Sequence, residues 1–395
     1  MRRLVLRQLT AAGLLGVCAP LRARSRAAAP VTVALTAEYG LHDSTSAQAI
    51  ELGLRVAIDE INAAGGVLGG RPLRLITRDD RSIPARAIRN FEEFLQVPEL
   101  IGIFGGKFSP VLLELKPHAR AANVPLLACW ASADPVTGAD HGHVFRLAPR
   151  DSWAIQRMAR HLMCGRGCRV IGMLVPNTAW GRSCMEALRA LGARAGAAGR
   201  VEWYSWGEKT LLPQYRALAA AGVDGMIAVA NEREAALLVR EVGALPVAQR
   251  MPVAAHSGVV GGDLFALAGP AVDKVDLAIV QSFVFGALPS ARERHVLRAL
   301  AAQPGAAAAH VSSAGFAQAY DLMHLLGRAV EQSGGTDRTR VRQALERLPR
   351  YEGLIKTYAH PFSPDRHDAL DASDIFMAGF RKDGRLVRLA EDQGC

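Results

Sequence analysis

After Pro30 the sequence has no apolar run of the roughly 18 residues needed to cross a bilayer, so the mature chain is expected to be soluble. It is also poor in aromatic residues, at 6%, while 50% of it is hydrophobic and 21% charged, a balance that argues against disorder. Catalytic signatures are missing. There is no Gly-x-Ser-x-Gly elbow and no Gly-x-Gly-x-x-Gly turn, and the glycines from Gly65 to Gly70 run into Arg71-Pro72 rather than the Lys-Ser/Thr of a phosphate loop. His141-Gly142-His143 has no further ligands nearby, and the cysteine spacing is not that of a zinc site. No enzyme activity, cofactor or metal is therefore expected.

Acids are absent before Pro30, where Arg2, Arg3, Arg7, Arg22, Arg24 and Arg26 stand. Those six account for much of the net charge of +10; the remainder of the chain holds 41 basic against 37 acidic residues, interspersed. That distribution excludes a nucleic-acid stripe. The basic start, the apolar run Leu9 to Leu21 and the small residues Ala27 to Ala29 read as an export signal over residues 1–29, of the twin-arginine or the general type. Leu15-Gly16-Val17-Cys18 is a poor lipoprotein box, because Val17 stands where a small residue is wanted. A periplasmic location follows as the expectation. Five cysteines remain after cleavage, an odd number, and Cys164 and Cys168 flank the turn Gly165-Arg166-Gly167, where they either pair or remain separate thiols.

From Val31 onward, short β-branched runs alternate with amphipathic segments. Strands are predicted at 31–37, 73–77, 100–104, 125–129, 169–175, 201–204, 226–230, 252–255 and 276–281, with helices between them, then helices near 289–302, 313–332 and 337–347. In the first helix Ile50, Leu54, Ala57, Ile58 and Ile61 recur at three- and four-residue steps until Gly65-Gly66 ends it. A C-terminal hairpin over 375–389 turns at Gly384. The rhythm predicts α/β architecture with two doubly wound parallel sheets. In such sheets ligands bind beyond the strand C-termini.

The ordered set Leu54 to Leu73, with its Asp59-Glu60-Ile61-Asn62 and Gly69-Gly70-Arg71, then Ile101-Gly102-Ile103-Phe104-Gly105-Gly106, Ala179-Trp180-Gly181 and Gly315-Phe316-Ala317, resembles the type I periplasmic binding proteins of the leucine/isoleucine/valine class. The resemblance spans nearly the whole chain after the signal. It implies two lobes joined by a three-strand hinge, with lobe one at 31–149 plus 257–350 and lobe two at 150–256 plus 351–395. It also implies a monomer that closes on a small solute and docks on the membrane permease subunits of an ABC transporter. A sensory ligand-binding protein and an exported enzyme remain as alternatives.

By the same resemblance, Ser109 before Pro110 and Ser132 in the loop Trp130–Pro135 meet the solute's carboxylate. Ser109 is also expected to cap its own helix. Trp180 is the expected aromatic lid, and Asn231 is either a ligand contact or a plain helix cap. Tyr39, Trp130 and Ser257 complete the candidate lining. The family's carboxylate for a ligand ammonium is replaced by His256-Ser257, so either Glu38 or Asp134 substitutes for it or the solute lacks an amine. Arg366 to Leu370 reads as structural.

Overall fold

Apolar periodicity and β-branched runs condense into alternating strands and helices. The computed structural model describes residues 29–138, 142–195, 200–306 and 311–390; the expected signal (but for Ala29), Cys18, His141 and Cys395 lie outside them. The first half builds β1 (Val31–Ala37), α1 (Ser46–Ala63), β2 (Leu73–Asp79), α2 (Pro84–Leu95), β3 (Leu100–Gly105), α3 (Ser109–Ala121), β4 (Leu126–Ala128) and β5 (Val144–Arg146). These strands form one parallel sheet in the order β2-β1-β3-β4-β5. β1 and β3 are buried along their whole length, as strands covered on both faces must be.

The chain then crosses into α4 (Asp151–Arg160), β6 (Ile171–Pro176), α5 (Ala179–Ala195), β7 (Arg200–Tyr204), α6 (Leu212–Ala220), β8 (Gly225–Ala228), α7 (Glu232–Ala244), β9 (Val253–Ala255), α8 (Leu264–Ala268) and β10 (Leu277–Gln281). It returns through α9 (Ala291–Ala301), α10 (Ser313–Ser333), α11 (Arg338–Leu345) and the small ribbon β11 (Tyr351–Glu352) and β12 (Thr357–Tyr358), and ends in β13 (Phe376–Phe380) and β14 (Leu386–Arg388). The second sheet runs β14-β13-β10-β9-β8-β6-β7, parallel except where β13 meets β10 and β14. No helix of the described residues is long and apolar enough to cross a membrane.

Sheet membership corrects two expected boundaries. The strand at 277–281 pairs with β9 and β13, so it belongs to lobe two although 257–350 was expected in lobe one. The second crossing therefore follows Gln281 rather than His256. The third falls near 370–375 rather than at Tyr351. Leu354 and Ile355 donate backbone N–H groups to Asp321 of α10, Tyr358 donates its hydroxyl to the same carboxylate, and Asp368 pairs with Arg146 of β5 at 2.6 Å. Residues 351–370 thus pack on lobe one. Cys168 is a free thiol, so Cys164 and Cys168 do not pair with each other.

Candidate functional site

The loops leaving β3, β4, β6, β7, β8 and β9 converge between the lobes. After β3, Gly106 lies so close to Ala37 and Glu38 that a Cβ would collide with them. The next residue, Lys107, is 6% exposed, and its Nζ lies 2.6 Å from Glu232 Oε2 at the start of α7. This ion pair crosses from one lobe to the other. Glu38 lies behind it, accepting from the Ser46 hydroxyl; burial raises its pKa against the pull of Lys107.

Ser109 does not cap its own helix. It is the first residue of α3, and its Oγ accepts from the Ala133 N–H at 3.2 Å, tying the loop after β3 to the loop after β4. Arg146, fully buried, holds that second loop by donating to the Ser132 and Ala133 carbonyls at 3.0 and 2.9 Å. Its partner Asp368, 2.6 Å from Arg146 Nε, ties residues 366–370 to the same lobe.

On lobe two, Asp151 is buried in the first turn of α4. Trp180 Nε1 donates to its Oδ1 at 3.2 Å, and His256 Nε2 lies 3.2 Å from the same oxygen. Burial alone would raise its pKa, but His256 and the hydroxyls of Ser183 and Ser132 hold it below the ordinary value. The Trp180 and His256 rings meet edge to face with centroids 5.1 Å apart. Cys184 completes a buried Asp–Cys–His group whose ligand atoms lie within 4.8 Å of one another. Its thiol is pushed well above its ordinary value, by burial first and by Asp151 second. A neutral thiol donating to Asp151 accounts for the Asp–Cys contact, and Trp180 donates to the same carboxylate. Asn231 precedes α7 but makes no side-chain cap bond, which leaves its amide for the cleft.

These groups enclose a cleft lined by Lys107, Phe108, Ser109, Trp130, Ser132, Trp180, Trp206, Asn231 and His256. Its cavity is only about 10 Å³, of the order of one water. The lobes stand closed, with Phe108 and Trp206 edge to face across the mouth at 5.3 Å.

Five of the seven residues singled out in the sequence, Ser109, Trp130, Ser132, Trp180 and Asn231, come together on these walls. Two do not. Tyr39 turns away, its hydroxyl donating to Glu51 at 2.6 Å, and Ser257 lies buried beside His256 Nδ1 at 3.4 Å. Neither Glu38 nor Asp134 lines the cleft; Asp134 accepts from the Ser152 N–H and hydroxyl instead. Sequence reasoning missed Lys107 and Trp206. Lys107 sits just past Gly105-Gly106 at a strand's C-terminal end, where the strand-end rule points. Trp206 follows β7 by two residues, at the end of another strand.

Two α/β lobes linked by three crossings, with a polar and aromatic cleft between them, define a two-lobed binding protein. The chain matches the periplasmic binding protein family over residues 30–384, and it belongs to that family. Among curated relatives, a Leu/Ile/Val-binding protein homolog 7 of Brucella abortus is 32% identical over 97 residues, 25% of this chain and 24% of the relative. The match thus spans about a quarter of the relative's length. The solved LivJ branched-chain amino acid transporter substrate-binding protein of Streptococcus pneumoniae, in complex with isoleucine, aligns with TM-score 0.76 and 18% identity over 90% of this chain and 97% of its own. A solute-binding protein of an ABC transporter from R. palustris, in complex with benzoate, aligns with TM-score 0.74 and 19% identity over 91% and 95%.

Proposed function

We propose that this chain is the extracytoplasmic solute-binding component of an ABC-type uptake transporter, and that its solute is a small carboxylate with a flat apolar body and no ammonium group. One observation carries the choice of solute. Among the described residues no carboxylate lines the cleft: Glu232 is paired with Lys107, Asp151 accepts from Trp180 Nε1, and Glu38 and Asp134 do not face it. An ammonium enclosed there would lack a counter-charge, at a cost of several kcal/mol. A carboxylate finds donors in the Ser109 hydroxyl and the Asn231 amide, and an aromatic body finds Trp130, Trp180 and Trp206. The relative solved with benzoate is consistent with this class, and the one solved with isoleucine represents the competing class. The closed cavity is too small for such a solute, so binding requires the lobes to part and then re-close with the rings spread around it.

The test is a thermal-shift screen of the protein with benzoate-type acids, their amides and branched-chain amino acids, since a ligand of the folded state raises apparent stability. Aromatic acids are expected to raise Tm, and Trp180→Ala to weaken the best of them about tenfold or more, roughly 1.4 kcal/mol. Tight binding of a branched-chain amino acid, or unchanged affinity in Trp180→Ala, overturns the reading.

A further inference from the structure

A second cavity, of about 440 Å³, opens where the chain crosses back from β10 to lobe one. That is room enough for a small organic ligand, which the closed cleft is not. Its walls come from both lobes: Gln281 at the end of β10, Val311 and Ser312 at the start of α10, Phe285 of the crossing segment, and the β13–β14 hairpin. Trp130, which lines the cleft, packs on Gly315 so closely that no Cβ fits there. The first turn of α10 therefore separates the two spaces.

Two buried polar groups on its walls are unspent. Gln281 is 1% exposed and Ser312 is 3% exposed, yet Gln281 Nε2 and Ser312 Oγ have no hydrogen-bond partner. Such groups are costly to bury unpaired, and native structures seldom leave them so. Ser312 is the N-cap of the 21-residue α10 but makes no side-chain cap bond, so the first-turn N–H groups and the helix dipole add to the same donor set. Two acids on the rim are engaged elsewhere: Asp383 with Arg385 at 2.7 Å, and Asp263 with the Ala266 N–H at 2.9 Å. Val260, Phe265, Phe285, Val311, Phe380 and Leu386 supply apolar surface around the donors.

The geometry points to a second ligand site, for a small carboxylate with an apolar body, whose carboxylate is held by Gln281 Nε2, Ser312 Oγ and the α10 N-terminus once the two side chains turn out from the wall, where both atoms are closed to water. It lies outside the cleft of the proposed transport role and does not depend on it. Because both lobes supply its walls, occupancy also biases the lobe equilibrium.

The probe is 4-fluorobenzoate, titrated into the full chain and followed by fluorine NMR. Two saturable bound signals are expected. Gln281→Leu and Ser312→Ala each weaken one of them about tenfold or more and leave the other, while Trp180→Ala does the reverse. Gln281→Leu replaces an unpaired amide with an apolar group of similar size, so its Tm holds or rises, and Ser312→Ala provides an independent check. A single signal that Trp180→Ala removes and the other two variants leave alone overturns the second site and keeps the cleft. A single signal with the opposite pattern keeps the second site and sinks the cleft reading. Two signals that neither Gln281→Leu nor Ser312→Ala moves, or no saturable signal, also overturn the second site.

Discussion

Buried carboxylates in this protein divide by what surrounds them. Asp151 is fully buried yet holds its charge, because Trp180, His256 and two hydroxyls are aimed at it. Asp80, 2% exposed, has only the Thr36 hydroxyl and the Ser82 N–H, with Glu38 adding like charge. Burial first, and Glu38 second, raise its pKa from 3.8 to about 7. The sign of the linkage follows. The unfolded chain ionises Asp80 near pH 4 and the folded chain only near pH 7, so the stability it confers is full in acid and lost as pH rises across that window. Asp80→Asn does not titrate. Its stability relative to the parent, read from urea midpoints, is expected to improve between pH 4.5 and pH 8; a deficit that grows with pH contradicts the assignment.

At the scale of elements, the crossings matter more than the sheets they join. β5 enters the first crossing beside 367–369, through Arg146 N–H to the His367 carbonyl at 2.8 Å and Ala369 N–H to the Arg146 carbonyl at 2.9 Å. Arg146 and Asp368 lock that pairing from within. Asp368→Ala would leave a fully buried guanidinium without its carboxylate and is expected to cost about 3–5 kcal/mol, measured by urea unfolding. A loss below about 1 kcal/mol would show the pair to be dispensable. The elements themselves were legible. The predicted helices at 313–332 and 337–347 appear as Ser313–Ser333 and Arg338–Leu345, because an apolar stripe at helical spacing is a local signal. β5, the β11–β12 ribbon and α8 were not predicted; at 2–5 residues each they are too short for periodicity to register.

For the whole molecule, closure is written into close approaches across the cleft. Gly262 lies against the Asp43 carbonyl of lobe one so tightly that a Cβ there would overlap it, and the Thr45 N–H donates to the Gly261 carbonyl at 2.8 Å. The φ of Gly262 is not in the left-handed region, so alanine suits its backbone but wedges the lobes. Gly262→Ala is expected to enlarge the radius of gyration in small-angle scattering and weaken solute binding, with little change in Tm. An unchanged radius with unchanged affinity would show that the approach is not needed for closure. Candidate site residues were readable where a loop follows a strand, as with Ser109, Ser132, Trp180 and Asn231. Lys107 and Glu232 are 125 residues apart, and nothing local to either marks the pair. The sequence alone determined the alternation of strands and helices, the two-sheet architecture and the family, since each is carried by short-range pattern. Only the tertiary structure decided that 277–281 joins the second sheet, that 351–370 stays with the first lobe, and that Glu232 is matched by Lys107 across the cleft. Those are choices of distant partner, made by packing and burial, which no local period encodes.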